Sequence, residues 1–211
     1  MKFENKGLLA SYTIITSFIT GVFFPLIGSL LYLNLGINKL YIEGIILVTI
    51  GGFIAHWILA HTIHDFFHMD IEKRVTFSKK GLLILLVSSL IILISIASYL
   101  SLQRGWPVMI FSIIGGLVCL YAKGLFHHEF QMAFGAMFLI IGGFYVQVGT
   151  LDLPMIIWIK VICMSIFGFL SQYGWLLFYR LDDYKYDKKI KNRSILITKS
   201  ALVFLIFYFI L

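Results

Sequence analysis

The chain has 211 residues, is 60% hydrophobic and only 13% charged, and carries three prolines and two cysteines. Water-soluble domains are nearer half apolar, so a soluble enzyme is excluded and a polytopic membrane protein is expected. The net charge of +7 reads as membrane topology, not nucleic-acid binding, since no basic surface is interleaved with exposed aromatics.

Seven apolar runs follow, at about 7–33, 41–60, 82–101, 106–122, 130–149, 153–179 and 195–211. A span takes roughly 20 residues, so the fourth and seventh are near the short limit. The expected fold is all-α: one transmembrane helix bundle over 1–211, around a central cavity. Its motif loops lie at about 61–81, 122–129 and 179–194. The first run is too long for the core of a cleaved signal, and Lys2 and Lys6 before it suit an uncleaved anchor. Pro25 within it predicts a kink. With the N-terminus inside, thirteen Lys and Arg fall on the inner segments and two, Lys39 and Arg104, on the outer loops. That bias places the N-terminus and the motif loops in the cytoplasm of a cell-membrane protein. Cys119 and Cys163, both in apolar runs, read as buried free thiols.

In span one, Gly21 and Gly28 share a face and permit close helix packing. Span two runs into His61-Thr-Ile-His64-Asp65-Phe-Phe-His68-Met-Asp70-Ile-Glu72. On a helix, His61, His64, Asp65, His68 and Glu72 fall on one face, and Asp70 points elsewhere. Ionisable residues at the end of a span are expensive and suggest a site for something charged. His56, five residues before His61, is read as a packed or hydrogen-bonded residue off that stripe. The basic loop after it, with Lys73, Arg74, Lys79 and Lys80, either marks topology or grips an anion. Gln103 to Pro107 forms an outer hairpin, with Arg104 and Trp106 as interfacial anchors. The next inner loop holds Lys123, His127, His128 and Glu129.

Span five closes on Gly142-Gly143-Phe144-Tyr145-Val146-Gln147-Val148-Gly149. Its glycines permit tight packing or leave room for a ligand, and Gln147 requires a hydrogen-bond partner. Span six holds Ser171, Gln172 and Tyr173 in its inner half. The third inner loop brings Asp183 and Asp187, expected on one helix face at i,i+4, then Lys191 and Arg193. Carboxylates from two inner loops, facing each other, suit Mg²⁺ bridging a diphosphate. Arg74, Lys79, Lys123 and Arg193 would take the remaining phosphate charge. A diphosphate on a long apolar chain fits that geography, head at the interface and tail between spans.

These residues resemble the UbiA superfamily of intramembrane prenyltransferases. The family's first motif, N-D-x-x-D-x-x-x-D, is matched by His64-Asp65-Phe-Phe-His68-Met-Asp-Ile-Glu72. Its second, D-x-x-x-D, is matched by Asp183-Tyr-Lys-Tyr-Asp187, which lies 118 residues beyond Asp65. The stretch Phe144 to Gly149 is similar to the "YYVQTG" segment of the menaquinone-type branch, and Glu129 sits where that branch has a Glu. The resemblance covers about residues 56–196. It implies Mg²⁺-dependent transfer of an isoprenyl group from its diphosphate to an acceptor, a quinone-precursor-like aromatic or a lipid. Asp65, Asp183 and Asp187 would be catalytic and, with His68 and Glu72, would hold the metal. His64, Arg74, Lys79, Lys123 and Arg193 would bind diphosphate, and Tyr145 and Gln147 the acceptor or prenyl chain. His64 and His68 depart from the motif's Asn and Asp, and histidine prefers softer metals. The family usually has nine spans, so a short member, or one lacking its last two spans, is expected. Alternatives are a terpene synthase of the same type, a histidine-box di-iron membrane oxygenase built on His61, His64, His68, His127 and His128, or a non-catalytic descendant.

Overall fold

The computed structural model describes residues 8–9, 11–35, 39–68, 77–118, 129–179, 181 and 185–211. Seven helices cover most of them, and the described residues contain no strand. They are α1 (11–35), α2 (42–68), α3 (Lys79–Arg104), α4 (Pro107–Val118), α5 (Glu129–Val148), α6 (Met155–Tyr179) and α7 (Lys188–Ile210). Six are long and apolar enough to cross a membrane. The chain is therefore a multi-pass helical membrane protein whose outer faces are lipid-exposed apolar surface. Ile84, Ile91 and Ile94 of α3 show what that means: all three are well over half exposed. A bundle in lipid needs no polar coat.

Two helices differ from the sequence reading. The described part of α4 has 12 residues, about 18 Å, which is short of the roughly 30 Å hydrocarbon core. The expected span reached 122, and residues 119–122 lie outside the described residues. Helix α7 has 23 residues and begins at Lys188, not at 195. Its first two turns carry Lys188, Lys189, Lys191 and Arg193. A hydropathy reading discards such residues, although they suit a helix entering through an interface.

Helix α5 is the hub. Half of its apolar window is buried, and it packs on α1, α4 and α6. The main core joins Phe24 and Leu31 of α1, Ile140 and Phe144 of α5, and Val161 and Met164 of α6. Glycine makes the closest crossings possible. A Cβ on Gly28 would collide with the Ile140 carbonyl, and one on Gly143 with the Pro25 carbonyl. Between α1 and α2, a Cβ on Gly21 would lie 2.6 Å from the Gly52 oxygen. With no apolar–aqueous contrast to drive helices together in lipid, such close approach is what holds them.

Two π-helical turns interrupt α1 and α2, at Ile19–Phe23 and Ile54–Leu59. Pro25 accounts for the first: it has no N–H for the Gly21 carbonyl, and the preceding turn widens. The expected kink thus takes the form of a π turn. The second carries His56 and Trp57.

Candidate functional site

The helices alternate in direction, so their ends form two polar clusters. The motif end collects the start of α1, the ends of α2 and α6, and the starts of α3, α5 and α7. There Asp65, only 6% exposed, accepts the Leu8 backbone N–H at 3.2 Å through Oδ2. Its Oδ1 lies 3.2 Å from His64 Nδ1. Trp57 Nε1 donates to the Leu8 carbonyl at 2.9 Å, so α2 holds the lead-in to α1 at two points. Lys79 sits over the Phe66 ring, 5.4 Å from its centroid. Glu129 opens α5 and is 2% exposed; an acid in a first turn complements the helix dipole.

On α7, Arg193 donates to the Tyr173 hydroxyl at 2.8 Å and lies against that ring. Ser194 donates to the Gly174 carbonyl at 2.7 Å. Asp187 is the N-cap of α7, and its Oδ1 accepts the Lys189 N–H at 2.7 Å. Its role in folding is that of any capping aspartate. The expectation that Asp183 and Asp187 share a helix face is corrected here. Lys185 and Tyr186 have φ of 51° and 57°, left-handed backbone that breaks a helix, and α7 begins only at Lys188. Asp183 itself lies outside the described residues, as do Glu72, Arg74, Lys123 and the His68 side chain. The helix over 61–68 is present, so His61, His64 and Asp65 have the spacing the sequence reading assumed.

The second cluster lies at the opposite end and contains both residues expected to touch acceptor or prenyl chain. Tyr145 and Gln147 are 16 and 18 residues beyond Glu129 on α5, about 24–27 Å along the axis. Gln147 is pinned to the backbone of Tyr41, accepting its N–H at 2.9 Å and donating to its carbonyl at 3.2 Å. Tyr145 donates to the Arg104 carbonyl at 3.0 Å. Arg104 in turn stacks on Tyr41, 4.0 Å from the ring centroid. Both side chains thus join the α1–α2 connection and the α3–α4 hairpin to α5. Gln147→Ala should leave the Tyr41 N–H unpaired, while its carbonyl keeps the Ile45 N–H, and cost about 2 kcal/mol. The expected readout is a lower melting temperature in detergent with no change in ligand affinity at the motif end.

Sequence reasoning missed a buried polar track between the two ends. His56 was set off the stripe because five residues on an α-helix turn a side chain about 140° away. The π turn restores the register, and the His56 and His61 rings lie 6.1 Å apart. His56 Nδ1 is 3.0 Å from Ser17 Oγ, and Thr20 donates to Gln172 Oε1 at 3.3 Å. Thr20 and Gln172 also line a groove of about 620 Å³ between α1, α6 and α7. Thr20, Gln172, Ser194 and Lys199 give it polar points, and Ile19, Phe24, Trp175 and Phe178 give it apolar walls. Ile19, Trp175, Phe178 and Ile195 are exposed to the bundle exterior, so the groove opens sideways. One wall is the helix whose lead-in Asp65 holds; another carries Arg193 beside the lining residue Ser194.

Magnesium does not fit the described residues alone. Among them no group of three or more His, Cys, Asp or Glu converges on a metal position. Each Asp65 oxygen already has a partner, and Asp187 is engaged as a cap. No family model matches the chain, and neither does any curated protein or solved structure.

Proposed function

We propose that this protein is an intramembrane prenyltransferase of the UbiA type. It moves an isoprenyl group from its diphosphate to an apolar or aromatic acceptor, with the motif end at the cytoplasmic face of the cell membrane. The observation that carries this reading is the two-zone groove. Polar points at Thr20, Gln172, Ser194 and Lys199 adjoin apolar walls open to lipid, with Arg193 next to Ser194 in the chain, which suits an amphiphile with an anionic head and a long chain. The two acidic motifs, with their resemblance to the family, narrow the amphiphile to an isoprenyl diphosphate. The excess of Lys and Arg on the motif-end segments supports the orientation.

In this reading the bond between C1 of the prenyl chain and its diphosphate oxygen breaks, and the electron pair leaves with the diphosphate. Negative charge grows there, where Arg193 would oppose it; the motif pattern assigns the same part to Lys79, Arg74 and Lys123. C1 bonds to the acceptor, which releases a proton. Dependence on Mg²⁺ belongs to the proposal and rests on the motif pattern. Ile195→Trp, on the groove wall, tests the seating of the chain. It should lower turnover of geranylgeranyl diphosphate several-fold relative to geranyl diphosphate; equal loss with both would remove the groove from the account.

A further inference from the structure

The glycines of this bundle divide by what a Cβ would meet. Gly21, Gly28, Gly52 and Gly143 face backbone across a helix crossing. Gly51, Gly115, Gly116 and Gly142 do not. At those four a Cβ would meet nothing closer than 3.7 Å, and at Gly116 nothing within 4 Å. Packing therefore requires glycine at the first four and not at the second, although glycine weakens a helix wherever it stands.

All four unforced glycines line one cavity of about 130 Å³, enclosed mainly by α2, α3, α4 and α5. Its other walls include Leu93, Ile96, Phe111 and Phe138, and among the described residues its only polar side chains are His56 and Ser112. Ser17 fixes His56 through Nδ1; among the described residues the ring makes no second hydrogen bond, so Nε2 is available. The size matches one small ring, since an apolar cavity of about 150 Å³ binds benzene. Missing side chains on several helices around one hole leave flat faces for a flat guest.

We propose that this cavity binds a single six-membered ring carrying one oxygen, of the phenol class, with the ring against the glycine faces and the oxygen hydrogen-bonded to His56. It would seat the ring of the proposed aromatic acceptor and rests on that reaction only for this role, because binding is measurable without turnover.

The full chain in lipid nanodiscs is titrated with 4-fluorophenol and with fluorobenzene, followed by ¹⁹F NMR against protein-free nanodiscs. Saturable binding of 4-fluorophenol is expected. His56→Phe should weaken it on the order of tenfold, the worth of one hydrogen bond, and leave fluorobenzene affinity nearly unchanged. Gly116→Leu, which fills open space, should abolish binding of both; Gly142→Val is the second filling variant should the first fail to fold. No saturable binding, or binding that survives a folded filling variant, overturns the site. Phenol binding without diphosphate release would leave this site standing and remove the transferase. Release without phenol binding would do the reverse.

Discussion

Asp65→Asn and Asp187→Asn are each expected to lower diphosphate release on the order of 10²–10³-fold, the scale of losing one group that stabilises transition-state charge. Both should still insert and fold. The structure makes asparagine the informative substitution. At 187 it keeps the cap of α7, since asparagine caps as well as aspartate. At 65 it keeps an oxygen for the Leu8 N–H, removes the charge and puts an amide NH2 opposite His64 Nδ1. Alanine would confound the two roles, because losing the cap alone costs about 1 kcal/mol. Asp183→Asn should lose activity to the same degree, and Asp70→Asn should be mild. Size-exclusion profiles and melting curves separate folding from chemistry. Retained activity in both Asp65→Asn and Asp187→Asn would remove the carboxylates from the mechanism.

Gly143→Val is expected to abolish the folded bundle, while Gly142→Ala, one residue away, is expected to be neutral or slightly stabilising. The Cβ at 143 meets the Pro25 backbone, which cannot yield without separating α1 from α5; at 142 it meets only Phe111 Cβ at 3.7 Å. Overpacking costs about 1–3 kcal/mol where side chains can rearrange, and a backbone crossing leaves less freedom than that. The yield of monodisperse protein after detergent extraction reads the difference. Equal yields for the two variants would show that the α1–α5 crossing is not set by backbone contact.

That pair also shows where the sequence stops being informative. Gly142-Gly143 reads as packing or ligand room; Gly143 packs on backbone, and Gly142 borders a cavity. Which is which depends on Pro25, more than a hundred positions away. The multi-pass helical architecture was legible because apolar length follows directly from the bilayer. The helical spacing of His61, His64 and Asp65 was legible for the same local reason. The π turns were not, since a fixed 100° period has no place for an added residue, so His56 was separated from His61. Asp187 does carry a local signal, since an aspartate immediately before a helix is a cap. Gln147 was correctly seen to need a partner, but the partner, the Tyr41 backbone, came from a distant turn.

The central claim is most directly tested by diphosphate release from the purified protein in lipid. Geranyl, farnesyl and geranylgeranyl diphosphates would be supplied in turn, with and without Mg²⁺, and with and without an aromatic acceptor pool. The account predicts release that requires both Mg²⁺ and acceptor, with a prenylated product in equal amount. Release without acceptor would point to a terpene synthase in the same site. No release under any of these conditions would contradict the account, and iron found bound in that case would favour the histidine-box alternative.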